Sequence, residues 1–336
     1  MRTINNTNPW RWLLLVLISM TTLVGCFSDD EDELQGNWVR RSDFEGIPRS
    51  NAVAFTIGDF AYVGLGFDGE DDLRDFWRYD PAQDFWTQMD TFPGPPRRAA
   101  VAFAVVDKGF IGTGFDSEDE EEYADFWAFD PNAASGSQWT QVSDFTGAAR
   151  YDAVAFSDGT YGYVGTGFND NWLKDFYRYD PGADSWEQVV SLGGSKREAA
   201  VAFSNGGLHF VGTGRNNGVY EFDFWNYDVT DGDWTRLTDI NEDDFEIARH
   251  GAVAFTLGDK SYLATGSNGS NLSSVWEYDA GTDEWEEKTA FEGALRLDAV
   301  AFVVQGRAYL TTGRNGATRF DDLREFLPNE AANEDD

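Results

Sequence analysis

The chain is built from four short phrases, each apolar or aromatic at its centre and bounded by Gly, Asp or Pro, that return in the same order. The first is Arg-x-x-Ala-Val-Ala-Phe, which begins at Arg49, Arg97, Arg150, Arg197, Arg249 and Arg296, at steps of 47 to 53 residues. The second is aromatic-apolar-small-x-Gly, which ends at Gly66, Gly114, Gly167, Gly214, Gly266 and Gly313. The third is Asp-Phe-Trp-x-Tyr-Asp-Pro, intact at Asp75 to Pro81 and reduced to Asp322-Leu-Arg-Glu-Phe-Leu-Pro328 at the end. The fourth is a tryptophan: Trp38, Trp86, Trp139, Trp186, Trp234 and Trp285. Such short runs of β-branched and aromatic residues predict strands. Asp80-Pro81, Asp130-Pro131 and Asp180-Pro181 open turns, because Asp accepts backbone bonds and Pro fixes the next φ. Four strands per unit make one antiparallel blade. Its strands are apolar on both faces because blades pack on one another, and Ala-Val-Ala and Gly-Thr-Gly are small enough for close approach near a narrow axis.

The order of the phrases predicts how the ring closes. The tryptophan phrase starts the array and the Asp-Phe-Trp phrase ends it, so Trp38 has no blade of its own and the last blade lacks its outer strand. The segment around Trp38 is expected to supply that strand, which also removes an unpaired edge. The expectation is an all-β, six-bladed propeller over residues 37–328, closed by one N-terminal and three C-terminal strands.

The ends read differently. Arg2 and Arg11 precede an apolar run, Trp12 to Val24, that is too short to span a bilayer but suits a signal peptide. Leu23-Val24-Gly25-Cys26 resembles a bacterial lipobox, so residues 1–25 are expected to be removed and Cys26 lipidated; the alternative is an ordinary signal peptide with an incidental cysteine. Cys26 is the only cysteine, so no disulfide is available and the fold rests on burial, for which 16% aromatic residues supply the area. Mature lipoproteins carry several acyl chains, which the resemblance turns into a firm anchor. Residues 26–36 form an acidic tether that reads either as a spacer or as a signal for surface export. Residues 329–336 are expected to be a disordered acidic tail.

Charge excludes one class of partner. The net charge is −35, and loss of the two arginines in residues 1–26 takes it to about −37. Such a surface repels nucleic acid and anionic lipid headgroups.

The six in-register phrases resemble kelch repeats, and their wording is similar to bacterial secreted kelch proteins of the galactose-oxidase-like group; the blade number is similar to N-acetylneuraminate epimerases. The copper chemistry of galactose oxidase does not carry over. It needs two His, two Tyr and a Tyr–Cys cross-link, whereas this chain has only His209 and His250, at dissimilar repeat positions, and Cys26 belongs to the anchor. No cofactor is expected.

Four sets of residues are candidates. Arg49, Arg97, Arg150, Arg197, Arg249 and Arg296 stand where each innermost strand begins; six guanidiniums around a pore either grip a carboxylate or phosphate or lock blades together. The variable loops after the second strand carry Arg215, Arg314, Asn169 and Trp172, a charged and aromatic composition suited to sugars, unless Trp172 folds over its own blade. Asp68 to Asp72 and Asp116 to Glu122 offer oxygens for Ca²⁺ without EF-hand spacing, or are simply solvated loops. Asp152, Glu198 and Asp298 lie beside the repeat arginines and are the residues for acid–base work if the protein is an enzyme. The expectation is a monomeric outer-membrane lipoprotein that binds a glycan or a cell-surface protein on the arginine-bearing face; the alternative is a sugar epimerase or mutarotase.

Overall fold

The structure is a computed structural model and describes residues 34–237 and 247–333. The expected signal peptide, Cys26 and nearly all of the tether lie outside the described residues. The described residues contain no helix. They form six four-stranded antiparallel sheets and three two-stranded hairpins.

Blade 1 sets the pattern. From the axis outward its strands are Val53–Ile57, Phe60–Gly64, Phe76–Asp80 and Phe85–Gln88, one for each phrase. Blades 2 to 5 repeat this order. Innermost strands of successive blades abut in a closed circle, and the last of them, Val300–Val304, meets the first. The Asp-Pro turns behave as their chemistry predicts: Asp80 Oδ1 accepts the Ala82 amide at 2.9 Å, and Asp130 Oδ1 accepts the Asn132 amide at 2.9 Å.

Blade 6 is completed from the front of the chain. Its order is Gln35–Arg41, Leu323–Ala331, Arg307–Thr311, Val300–Val304, with Trp38 opposite Phe326. The pairing runs on to Ala331, so the last strand takes in three residues assigned above to a disordered tail. Ala331 pairs with Gln35 across the seam, beyond a register shift next to Asn37, a partner that composition alone does not reveal.

The phrases are explained by what they pack on. A Cβ on Gly64, Gly112, Gly165 or Gly212 would lie 2.1–2.3 Å from the ring of Phe76, Phe126, Phe176 or Phe224, so the third strand's phenylalanine demands glycine on the second strand. The outer tryptophans cross the seams. Trp139 Nε1 donates to the Asp90 carbonyl at 2.9 Å, and Trp186 Nε1 to the Ser143 carbonyl at 3.0 Å. Each acceptor belongs to the segment arriving from the preceding blade.

Trp38 is fully buried, edge-on to Phe291 at 4.9 Å and tilted on Phe326 at 4.6 Å. Trp38→Ala is expected to cost about 3–5 kcal/mol, the range for truncating a buried aromatic. Denaturant unfolding checks this; a loss below about 1 kcal/mol would mean the N-terminal strand does not hold the ring.

Candidate functional site

The six repeat arginines are not open to a ligand, and this corrects one of the two expectations for them. Each is fully buried. Arg49 grips Asp75 with two hydrogen bonds of 2.6 and 2.7 Å. Arg97 grips Asp125 at 2.6 and 2.9 Å, and Arg150 grips Asp175 at 2.8 and 2.9 Å. Arg296 meets Asp322 at 2.8 Å and Arg197 meets Asp223 at 2.7 Å. In blade 5 serine replaces the aspartate, and Arg249 Nη2 donates to Ser274 Oγ at 2.8 Å. In every copy Nη1 also donates to the carbonyl sixteen residues on, at 2.8–3.0 Å. The partners lie in the arginine's own blade, so the lock joins first strand to third strand rather than blade to blade. Burial alone would raise the carboxyls of Asp75, Asp175 and Asp223, but the arginine outweighs it and holds them below the ordinary value.

Blade-to-blade closure belongs to the backbone. The amides of Gly66, Gly114, Gly167, Gly214, Gly266 and Gly313 donate to the carbonyl of the next blade's arginine at 2.7–2.9 Å. Two residues after each arginine runs a second circle. Asn51, Ala99, Asp152, Ala199, Gly251 and Asp298 each donate to the carbonyl of the equivalent residue in the preceding blade, at 2.8–3.0 Å. All six adopt φ between 48° and 60°, the left-handed region where Gly, Asn and Asp are least strained.

That inner circle holds side chains at the axial mouth, above a channel of 180 Å³ walled by the alanines of the first phrase, including Ala54, Ala155, Ala202 and Ala254. Asp298 Oδ2 accepts Arg314 Nε at 2.7 Å. Glu198 Oε1 accepts both Arg215 Nε at 3.0 Å and Nη2 at 2.7 Å. Sequence reasoning treated these carboxylates and arginines as separate sets; the fold brings them together. Burial, with Asp298 and Glu198 nearby, pushes the Asp152 carboxyl up to about 7, while Arg215 and Arg98 pull it down.

The residue directly after each arginine completes the mouth, bridged to the first residue of its blade's variable loop. Blades 1 to 3 make an aromatic arc. Arg98 lies over Phe67 at 4.3 Å and Phe115 at 5.5 Å. Phe115 meets Tyr151 at 5.2 Å, Tyr151 meets Phe168 at 5.7 Å, and Phe168 meets Trp172 edge-on at 5.2 Å. Blades 4 to 6 make a charged arc with the Glu198–Arg215 and Asp298–Arg314 pairs. There His250 Nδ1 lies 2.8 Å from the Ser267 carbonyl and its ring stacks on Tyr220 at 5.4 Å. Burial holds His250 below the usual histidine value. Arg319 lies over Phe67 at 5.3 Å and joins the two arcs.

Arg98, Arg319 and Tyr151 were missed from sequence, and His250 was weighed there only as a copper ligand and set aside. For Arg98, Tyr151 and His250 the one signal was that the position after the constant repeat arginine varies in type between blades. Asn169 and Trp172 are half-buried in the blade 3 loop, Trp172 packed on its own loop's Phe168. His209 is elsewhere, buried against Phe156 at 4.9 Å and 2.7 Å from Ser204 Oγ.

No protein-family model matches the chain, and no curated protein matches it. Among solved structures, that of YjhT aligns with 84% of this chain and 96% of its own, at a TM-score of 0.71 and 16% sequence identity. At that identity the likeness is one of fold.

The acidic loops are internally bonded. Asp68 Oδ1 accepts the Glu70 and Asp71 amides at 2.8 Å each, Asp116 Oδ1 accepts the Glu118 amide at 2.8 Å, and Asp72 Oδ2 accepts the Ser117 amide at 2.7 Å. Among the described residues no group of three or more His, Cys, Asp and Glu is placed to hold a metal ion.

Asp152 gives the mouth a pH signature. A folded-state value raised to about 7, above about 3.9 in the unfolded chain, means that stability is lost as pH climbs through this window. Asp152→Asn abolishes that loss. The melting temperature of the variant relative to the native chain is expected to rise between pH 4 and 7 and level off above; a constant difference across that range would contradict the assignment.

Proposed function

We propose that the protein is a kelch-type, lipid-anchored propeller of the bacterial outer membrane whose axial mouth binds a ligand bearing a carboxylate or similar anion, a glycan fitting best. The supporting observation is the arrangement of Arg98 and Arg319. Both lie over Phe67. Asp72, the ion-pair partner of Arg98, stands 3.8 Å away. Arg319 donates to the Gly316 carbonyl at 3.1 Å, and its buried Nε has no hydrogen-bond partner. In a chain of net charge −35, two guanidiniums over one ring, one held by a long 3.8 Å ion pair and the other donating to a carbonyl, suit an incoming anion, which they bind in planar, two-pronged fashion. The aromatic arc beside them offers stacking faces, and Glu198, Asp298 and His250 offer partners for hydroxyls. The repeat arginines hold this surface from below.

Affinity for a carboxylated saccharide such as N-acetylneuraminic acid, measured by calorimetry, is expected to fall at least tenfold, about 1.4 kcal/mol, in Arg98→Ala and in Arg319→Ala, and to weaken with salt. Equal binding of the methyl ester would overturn the reading. The anchor rests on Leu23 to Cys26; metabolic labelling with an alkynyl fatty acid is expected to mark the native chain and not Cys26→Ala, and label retained in the variant would refute it.

A second reading, epimerase or mutarotase activity on an acidic sugar, is favoured by Asp152. This carboxyl titrates near neutrality next to arginines that would fix a carboxylate, which suits a general base or acid. NMR exchange spectroscopy of N-acetylneuraminic acid anomers is expected to show faster exchange with the native protein than with Asp152→Asn. No acceleration over buffer would remove this reading and leave the binding one standing.

A further inference from the structure

The acidic loops of blades 1 and 2 stand on either side of a groove that the axial mouth does not use. It is a cavity of about 1050 Å³ between the segment entering blade 1, the blade 1 variable loop and the tip of the blade 2 hairpin. Its rim carries Glu45, Glu70, Asp71 and Glu118, all exposed. Among the described residues none of these four carboxylates is held by a hydrogen bond or an ion pair. The other carboxylates of the lining are already engaged. Arg49 holds Asp75, and the Glu118 amide holds Asp116. Ser117 holds Asp72, donating from its amide and its hydroxyl to Oδ2 at 2.7 and 2.5 Å. This last contact ties the two loops together, so the walls are set before anything binds. Arg74 is the one cation of the lining.

The floor of the groove is apolar. Ile47 is 52% exposed, and Leu73 and Trp77 stand half-buried in the same lining. Single exposed apolar side chains need no explanation, but an apolar strip inside a concave, charged rim does. The combination belongs to this seam. The residue two before the repeat arginine is Pro95, Ala148, Ser195 or Ala294 in four other blades, and in blade 5 it is Ile247, which is buried. The place of Asp71 is taken by Asn171 in the loop of blade 3 and by Ser270 in that of blade 5.

We infer that this groove docks a basic peptide segment of a partner protein, with Lys or Arg heads at the four rim carboxylates and aliphatic side chains on Ile47 and Leu73. Charge complementarity selects the partner's sign. Lys and Arg stems lie along apolar surface while their heads stay in water, which suits an apolar floor beneath an acidic rim. A guanidinium beside Trp77 gains a cation–π contact as well. The space matches the largest small-molecule pockets, about 1,000 Å³, and so takes several residues of an extended chain. A bare metal ion would leave the floor uncovered, and no three ligands are placed for one among the described residues. The inference goes beyond the reading of the axial mouth as an anion site, and either can hold without the other.

The test is fluorescence anisotropy of a labelled, end-capped octapeptide of alternating arginine and leucine, titrated with the purified full chain at about 150 mM sodium chloride. Saturable binding is expected. Glu70→Gln with Asp71→Asn, and Glu45→Gln with Glu118→Gln, are each expected to weaken it at least tenfold, and Ile47→Ser to weaken it too. Arg74→Gln, which removes the competing cation, is expected to strengthen it. Glu284→Gln with Glu287→Gln takes the same charge from exposed positions on the outer strand of blade 5 and is expected to leave binding unchanged. All of these side chains are exposed, so the variants are expected to melt with the native chain. No saturable binding, equal weakening by the blade 5 pair, weaker binding in Arg74→Gln, or an octalysine peptide bound as tightly as the alternating one would overturn the inference.

Discussion

A guanidinium enclosed at the start of every innermost strand must be neutralised where it stands, and this requirement organises each blade. An unpaired buried cation is among the costliest things a fold can hold. In five blades the chain meets it by bringing the third strand's leading aspartate to the arginine, with a carbonyl from the turn after the second strand, and in blade 5 serine stands there. Three strands are thereby tied at one point, and a phenylalanine from the incoming segment covers that point in four of the blades. The spacing of the phrases follows: Asp75, Asp125, Asp175, Asp223 and Asp322 are where they are because the arginines are.

The lock also decides where chemistry can occur. Side chains that hold the blades are unavailable to a ligand, so the positions one and two residues further on face the axis instead. There the backbone is fixed by the circle of amides through Asn51, Ala99, Asp152, Ala199, Gly251 and Asp298, while the side chains are free to differ. Six equivalent backbones thus carry Arg98, Tyr151, Glu198 and His250 on one ring and Asp152 and Asp298 on another. The result is asymmetric: aromatic over blades 1 to 3, charged over blades 4 to 6.

The architecture was legible because it depends on repetition. Six copies of a phrase fix blade number, and the mismatch between the first and last phrase fixes closure, since Trp38 has nowhere else to pair. The site was only partly legible, for the same reason. Repetition drew the eye to the arginines, yet a residue needed in all copies is one the scaffold needs. Glu198, Asp298, Arg215 and Arg314 could be named from sequence, but not that they pair, because pairing runs between the inner strand and a loop seventeen or sixteen residues away. Arg98 and Arg319 escaped notice because their significance lies in the distance to the nearest carboxylate, which a linear string does not carry. The backbone circles leave only the preference for Asn, Asp and Gly at one position, blurred by Ala99 and Ala199.

The central claim is that the repeat arginines are locks, fully buried, whereas Arg98 and Arg319 at the axial mouth are half-buried and not locked in this way. Proton exchange at the arginine side chains, read by ¹⁵N NMR of the guanidinium groups, tests this most directly. Six slowly exchanging Nε–H signals, assignable by substitution to Arg49, Arg97, Arg150, Arg197, Arg249 and Arg296, are predicted, with that of Arg98 exchanging faster until an anionic ligand is added. Fast exchange at the six repeat positions, at the rate of Arg98, would contradict the account.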